Sequence, residues 1–327
     1  MQCFPDHPGW KNALRILRER GENAIVLFEE FWYFSTARGF CRHERSTPAA
    51  ARAGLKQPGD RNRMEREQNQ RGAVIEVEDL EARYGDDAIL SGVSLRVYRG
   101  EILCIVGGSG CGKSTLLKHM IGLLPPYRGR IIVDGIDIST QDEDAMERLR
   151  RGVGVLFQSD ALFGSMTLAE NVALPLGAHT TLTDRTIREV VRMKLGLVNL
   201  AGCEDLYPAE LSGGMRKRGA LARAMALDPT ILFFDEPSSG LDPVTAGELM
   251  DLIKSINAGM GTTMVIVSHQ LEFVFTVAGR VIMLDREARG IIAEGTPRQI
   301  REHAVDPRVR AFFRIGAAPA SAGGQRP

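Results

Sequence analysis

Short apolar runs alternate with amphipathic segments along the chain from about residue 73 onward. Some runs, such as 74–77, alternate apolar and polar residues as a half-buried strand does, whereas 101–106 is almost continuously apolar. We therefore predict strands over 74–77, 94–98, 101–106, 130–133, 154–157, 231–234, 263–267 and 281–284. The intervening segments predict helices over 116–124, 141–151, 184–195, 212–227, 243–258 and 271–278, the first of them stopped by Pro125 and Pro126. Apolar strands that alternate with helices indicate an α/β fold.

Residues 1–70 differ in composition from this regular part, which we expect to be one domain over 73–300. They contain both tryptophans, an aromatic patch over 28–34 and then a stretch rich in Arg, Pro, Ala and Gln. One interpretation is an amphipathic element for a membrane surface. The other, which the break in composition favours, is a poorly ordered or over-extended start with Met64 as the true initiator.

The carboxyl-terminal part also extends beyond the predicted domain. Over 301–316, Asp306 and Pro307 can begin a short helix with Val309, Phe312 and Phe313 on one side. That helix would dock either on its own domain or on a neighbouring subunit. The last residues, 317–327, are small and polar, and we expect them to be disordered.

A glycine-rich loop leads from strand 101–106 into the next predicted helix and fits the pattern GxxxxGK[ST]. Glycines let backbone N–H groups surround phosphate, and the start of a helix adds its positive end. Lys113 would neutralise phosphate charge, and Ser114 would offer its hydroxyl oxygen to Mg²⁺. The position between strand and helix disfavours the alternative, an incidental glycine-rich turn. The candidate phosphate-binding residues are Gly107, Gly108, Ser109, Gly110, Cys111, Gly112, Lys113, Ser114 and Thr115.

Two acidic residues end the apolar strand 231–234. Such a strand places Asp235 at the carboxyl edge of the sheet, beside the phosphate loop, where ligands bind in open α/β sheets. Asp235 then suits a Mg²⁺ site, and Glu236 can polarise an attacking water. The alternative is a solvated acid pair at a turn, which the phosphate loop disfavours.

A second candidate anion site lies at the start of the predicted helix 212–227. Ser212 is a good N-cap, and Gly213 and Gly214 expose backbone donors there. The motif alone is weak evidence. Its order, after the phosphate loop and before the acid-ended strand, makes it specific.

Together these motifs resemble the ATPase subunit of ABC transporters over about residues 73–300. The resemblance implies a P-loop NTPase cassette with a RecA-like core sheet and a helical subdomain at about 159–227. It also implies an ATPase that uses ATP and Mg²⁺. In the family, the signature motif, which Leu211 to Met215 match here, closes over the ATP held by another subunit, so a head-to-tail dimer of two copies is implied.

The resemblance assigns roles residue by residue. The residues it implies for catalysis are Glu236, His269, Lys113 and Gln158, the last in the Q-loop. Those it implies for Mg²⁺ are Ser114, Gln158 and Asp235. Beyond the phosphate loop, ATP would contact Tyr84, Ser212, Gly213, Gly214 and Asp242, the last in the D-loop at 239–242. Singly, His269, Gln158 and Tyr84 could be structural residues, but seven motifs in the family's order disfavour that alternative.

The amino-acid sequences of segments 157–176, 211–218 and 235–245 resemble, more narrowly, those of the ATPases of Mla-type, MCE-associated lipid transporters. Residues 215–218 read Met-Arg-Lys-Arg where most importers have Gln. This resemblance implies integral membrane permease subunits and an MCE-domain protein as partners, with phospholipid or another hydrophobic molecule as cargo. It also implies a peripheral position on the cytoplasmic face of the bacterial inner membrane. The alternatives are an importer or exporter of other solutes, a non-hydrolysing regulatory subunit, or a soluble ABC protein of translation or DNA repair.

Ala161, Leu162, Phe163 and Met166 are apolar residues in a segment that otherwise resembles a loop. We expect them to be exposed and to form a docking groove for a permease helix. The alternative is that they belong to the core of the helical subdomain.

Composition and charge narrow the function classes. The formal net charge is zero, which argues against a nucleic-acid partner. The five cysteines do not have the spacing of zinc ligands, and an odd number without a disulfide framework suits a reducing compartment. No apolar stretch reaches the roughly 20 residues that span a bilayer, and no secretory signal is visible.

Overall fold

The computed structural model describes residues 72–314, so the predictions for 1–70, 315–316 and 317–327 lie outside the described part. The strands are β1 (Ala73–Tyr84), β2 (Asp87–Tyr98), β3 (Ile102–Gly107), β4 (Arg128–Val133), β5 (Ile136–Asp137), β6 (Val153–Leu156), β7 (Ile231–Asp235), β8 (Thr263–Val267), β9 (Arg280–Asp285) and β10 (Gly290–Gly295). The α-helices are α1 (Lys113–Met120), α2 (Glu143–Gly152), α3 (Leu168–His179), α4 (Asp184–Leu197), α5 (Gly213–Ala224), α6 (Pro243–Met260), α7 (Leu271–Val277), α8 (Pro297–His303) and α9 (Pro307–Arg314).

The predicted α/β architecture is confirmed as two sheets. A six-stranded sheet has the order β10-β9-β3-β8-β7-β6, in which only β10 runs antiparallel to its neighbour. Its parallel strands are buried almost throughout, as sheets covered on both faces require. An antiparallel sheet with the order β2-β1-β4-β5 lies beside it. Because Asp235 of β7 pairs with Val267 of β8, the chain leaves both strands at the same carboxyl edge.

The first helix is shorter than predicted: α1 ends at Met120 instead of continuing toward Pro125. Gly122 adopts a left-handed φ of 74°, and its N–H donates to the carbonyl of His119. The N–H of Leu123 donates to the carbonyl of Lys118, which completes a Schellman-type end. Gly122, not the prolines, therefore stops the helix.

Helix α3 was not predicted, although its start carries a recognisable signal. Thr167 and Glu170 form a capping box at its amino end. Pro175 lies inside the helix, a position that normally argues against one, and this obscures the pattern. Helices α3, α4 and α5 pack against one another through a shared apolar core.

The prediction of an exposed apolar groove after the Q-loop is wrong for two of the four residues proposed to form it. Phe163 is 6% exposed and Met166 is 1% exposed, and Leu162 packs against the same core that α3 and α5 form. The buried side chain of Asn171 holds this loop, because its Nδ2 donates to the carbonyls of Phe163 and Met166. These apolar residues mainly stabilise the helices.

Helix α9 docks on its own domain, which is one of the two predicted alternatives. Val309 and Phe313 are buried in the core, and the Phe313 ring contacts Phe275 edge-on at a centroid distance of 6.0 Å. Within residues 72–314, no helix combines the length and the apolar character that a membrane span needs.

Candidate nucleotide site

The glycine-rich loop connects β3 to α1 as predicted. Gly107 leaves β3 with a φ of 147°, and a β-carbon there would clash with the Leu284 carbonyl and lie 2.7 Å from Cys111 Sγ. Gly112 precedes α1 with a φ of 97°, a left-handed conformation that favours glycine. Gly108, Ser109 and Gly110 are exposed, so this stretch of backbone is accessible to a phosphate at the start of α1.

Lys113 lies across this loop. Its Nζ donates to the carbonyls of Gly107 and Gly108, at 3.0 Å each. The ammonium is therefore held at the loop, where it can exchange carbonyl partners for phosphate oxygens.

Ser114 and Asp235 meet although they lie far apart in sequence. The Ser114 hydroxyl donates to Oδ1 of Asp235 at 3.2 Å. Burial raises the pKa of the Asp235 carboxyl, and the hydrogen bond from Ser114 opposes that shift. A hydroxyl and a carboxylate are hard oxygen ligands, so the pair fits Mg²⁺.

Glu236 and His269 form the next contact along this edge. His269 Nδ1 lies 2.8 Å from Glu236 Oε1, and the His269 backbone N–H donates to Oε2 at 3.4 Å. Glu236 is buried and has a φ of 50°, a left-handed value that is uncommon for a non-glycine residue. Such conformations cluster at functional sites.

Gln158 reaches the same group of residues from the end of β6. Its Nε2 donates to the Ser239 hydroxyl at 3.5 Å, and the Ser239 N–H donates to the Glu236 carbonyl at 3.1 Å. Ser239 matches the first residue of the D-loop but was not predicted as a site residue. Its place three residues after the catalytic candidate Glu236 was the available signal.

Gly214, two residues after Ser212 at the start of α5, packs against the start of α6. The Ser212 hydroxyl accepts from the Met215 N–H at 3.2 Å and caps α5. A β-carbon at Gly214 would clash with the Thr245 methyl group of α6. Among residues 72–314, none of the hydrogen bonds of Ser212 reaches the phosphate loop.

Asp242 caps the neighbouring helix, α6. Its carboxylate accepts from the Thr245 hydroxyl at 2.6 Å and from the Val244 and Thr245 N–H groups, and these bonds lower its pKa. Gly213 adjoins Leu241 of the same D-loop. The starts of α5 and α6 thus form one surface.

Tyr84 is exposed at the end of β1, next to the turn that leads into β2. A β-carbon at Gly112 would meet Leu90 and Ile89 of β2, so this hairpin packs over the start of α1. Tyr84 is therefore on an element that adjoins the phosphate loop.

A phosphate loop, a Ser–Asp pair and a Glu–His pair at one sheet edge, with a separate capped-helix surface, define an ATP-binding cassette ATPase. The ABC transporter family profile matches residues 90–239. The chain is 45% identical over 248 residues to the probable ribonucleotide transport ATP-binding protein mkl of Mycobacterium tuberculosis, covering 75% of this chain and 68% of the relative. It is 41% identical over 241 residues to the intermembrane phospholipid transport system ATP-binding protein MlaF of Escherichia coli, covering 73% and 88%. The chain belongs to this family of ABC transporter ATP-binding proteins and is an ATPase.

Solved structures agree with the fold. CbiO1 of Clostridium perfringens, part of the ABC transporter complex cbiONQ, aligns with a TM-score of 0.64 at 30% identity, covering 70% of this chain and 90% of that one. A dimeric ATP-binding cassette in a post-hydrolysis state, bound to ADP and Pi, aligns with a TM-score of 0.62 at 29% identity, covering 68% and 98%. Both place this chain among ATP-binding cassettes.

Proposed function

We propose that this chain is the ATPase subunit that powers a separate membrane permease for phospholipids or other hydrophobic molecules. The observation that supports it best is the pairing of Ser114 with Asp235 and of Glu236 with His269 at the edge that holds the phosphate loop. The chain's 41–42% identity to two MlaF proteins, whose names describe intermembrane phospholipid transport, supports the cargo.

Each side chain has a specific task in this proposal. Lys113 and the N–H groups of the loop bind the β- and γ-phosphates of ATP. Ser114, Asp235 and Gln158 would hold Mg²⁺, which supplies charge that stabilises the phosphates. Glu236 orients a water whose oxygen bonds to the γ-phosphorus while the bond from that phosphorus to the bridging oxygen breaks, and the carboxylate accepts the water's proton. His269 keeps Glu236 in place.

The surface formed by the starts of α5 and α6 would function in a dimer. Ser212, Gly213, Gly214 and Asp242 lie at the starts of two adjacent helices, where N–H groups favour anions. We propose that a second copy presents this surface to the ATP of the first, head to tail, and that Tyr84 stacks on adenine. The dimeric assembly of a structural neighbour supports this arrangement.

The proposed partners follow from the same relatives. The chain would bind integral permease subunits at the cytoplasmic face of the bacterial plasma membrane, peripherally, with an MCE-domain protein in the complex. The similarity to mkl, whose name specifies ribonucleotide transport, favours a second candidate cargo, a polar solute. Both candidates use the same ATPase chemistry.

The test is purification of a tagged Glu236→Gln form from native membranes with ATP present, followed by mass spectrometry of proteins and lipids. Glu248→Gln, an exposed change on α6, is the matched control. We expect a permease, an MCE-domain protein and phospholipid to be enriched with Glu236→Gln. A permease with bound nucleotide but no phospholipid would exclude the lipid proposal, and ribosomes or DNA without any permease would exclude the transport role.

A further inference from the structure

Lys217 is a buried charged residue that the ATPase chemistry does not use. It is 3% exposed, and it belongs to the basic run that distinguishes the start of α5. Its Nζ lies 2.6 Å from Oδ1 of Asp160 and also donates to the main-chain carbonyl of Gln158. One ammonium thus contacts two points of the Q-loop.

The Asp160 carboxylate depends on this contact. Oδ1 of Asp160 is buried, and the Lys217 ammonium lies directly against it. The other oxygen, Oδ2, is 3.8 Å from the Arg216 guanidinium, which is partly exposed. A buried carboxylate without a close cation destabilises the folded state. Lys217 is therefore the main cation that compensates the charge of Asp160.

The loop backbone at this point is held in an unusual conformation. Asp160 and Ala161 have φ values of 65° and 52°, both left-handed. The Arg223 guanidinium, also from α5, donates to the carbonyls of both residues. Two consecutive residues of this kind persist only where surrounding contacts fix them.

Helix α5 links this loop to the surface proposed to meet the partner's ATP. The helix begins at Gly213, and Lys217 lies about one turn further on. Gly219 lets α5 pack closely against α3 and the segment before it, since a β-carbon there would lie 2.5 Å from Leu168 and 3.7 Å from Leu162. A shift of α5 therefore moves the points that hold Gln158.

We propose that Lys217, paired with Asp160, is a positioning residue that ties the Q-loop to helix α5. When the start of α5 at Ser212 and Gly214 moves, Gln158 and its contact with Ser239 then move with it. This inference rests on the role proposed above for Gln158. It concerns a charged pair within this chain and requires no further ligand.

The test compares five forms of the full chain: Lys217→Gln, Lys217→Arg, Asp160→Asn, the double form Lys217→Gln/Asp160→Asn, and Gln158→Ala. The matched control is Lys254→Gln, because Lys254 forms an exposed ion pair in which its Nζ lies 3.9 Å from Oδ1 of Asp251. Steady-state ATPase gives kcat and KM for ATP. Hydrogen–deuterium exchange of residues 158–161 without nucleotide reports whether the loop is held.

We expect Lys217→Gln to lower kcat about ten-fold with KM for ATP changed less than about two-fold, because Lys217 does not contact ATP and acts only through the position of Gln158. Exchange at 158–161 should rise while exchange in β7 and β8 stays unchanged. Lys217→Arg should restore most of kcat, and the double form should lose no more than Lys217→Gln alone, since both changes remove one pair. Lys254→Gln should match the wild type.

The outcomes separate this inference from the proposed site. If Gln158→Ala lowers kcat while Lys217→Gln has wild-type kcat and exchange, the site stands and the inference is wrong. If Gln158→Ala has wild-type kcat, the role of Gln158 is wrong, and the inference with it. If Lys217→Gln does not fold, the double form and Asp160→Asn decide: wild-type kcat and loop exchange in both would overturn the inference.

Discussion

His269 and Glu236 face each other across the ends of β8 and β7, with Nδ1 2.8 Å from Oε1. A carboxylate can only accept, so the imidazole carries its proton on Nδ1 in this contact. The backbone N–H of His269 binds the second carboxylate oxygen. His269 thus fixes the orientation of Glu236, while its own side chain is 60% exposed toward the open edge.

We expect Glu236→Gln to lower kcat for ATP hydrolysis about 100-fold or more, because the amide cannot accept the proton of the attacking water. ATP binding should persist, since Lys113 and the glycine-rich loop are unchanged. Phosphate release and equilibrium ATP binding measure the two effects. The control Glu248→Gln should hydrolyse ATP at the wild-type rate, and hydrolysis by Glu236→Gln within a few-fold of wild type would exclude Glu236 as the base.

Replacing Asp235 with Asn should raise the stability of the chain but impair its function. Burial raises its pKa, so the folded chain disfavours the ionised form. At neutral pH the carboxylate is ionised and costs stability, and Asp235→Asn removes that cost while keeping an acceptor for Ser114. We expect the Tm of the nucleotide-free chain to rise by about 2 °C.

The pH dependence checks the cause. A raised acid pKa means that the folded state binds more protons, so the Asp235 penalty is absent below the unfolded pKa and grows as pH rises to the folded pKa. The Tm advantage of Asp235→Asn should therefore shrink as pH falls through that window. Stabilisation by ATP with Mg²⁺ should fall in the same variant. Asp251→Asn, on the exposed face of α6, should show neither effect.

The nucleotide site was predictable because each motif is local. Lys113 and Ser114 follow a strand within one short pattern, and Asp235 follows another, so the common carboxyl edge of a parallel sheet brings them together. The burial of Phe163 and Met166 was not predicted, because it depends on Asn171 and on packing between α3 and α5. The Lys217–Asp160 contact joins residues that lie far apart in the sequence, and no local pattern indicates it.

Asn171 is fully buried and fixes the loop before α3. Its Nδ2 donates to the carbonyls of Phe163, Met166 and Thr167, and its Oδ1 accepts from the Phe163 N–H at 2.8 Å. Asn171→Asp would place acceptors against three carbonyl oxygens. We expect the free energy of unfolding to fall by about 3 kcal/mol, as for other buried polar groups that lose their partners. Urea unfolding measures it, and Asn199→Asp, at an exposed position, should differ from wild type by less than about 0.5 kcal/mol.

Gly214 tests the surface formed by the starts of α5 and α6. A β-carbon at this position would clash with the Thr245 methyl group, and Thr245 cannot turn away freely because its hydroxyl donates to Asp242. We expect Gly214→Ala to displace the two helix starts and to reduce ATP-dependent dimerisation about ten-fold or more, because a closed interface tolerates little displacement. Size-exclusion chromatography with multi-angle light scattering, on a Glu236→Gln background with ATP, measures the dimer.

Two further variants separate this clash from a general effect of alanine. Gly177→Ala, inside α3 with open space around its β-carbon, should leave dimerisation unchanged and raise stability by about 0.5–1 kcal/mol. Thr245→Ser removes the clashing methyl group but keeps the hydroxyl for Asp242, so Gly214→Ala/Thr245→Ser should recover dimerisation. If Gly214→Ala alone dimerises like the wild type, the starts of α5 and α6 do not form the surface that meets the partner's ATP.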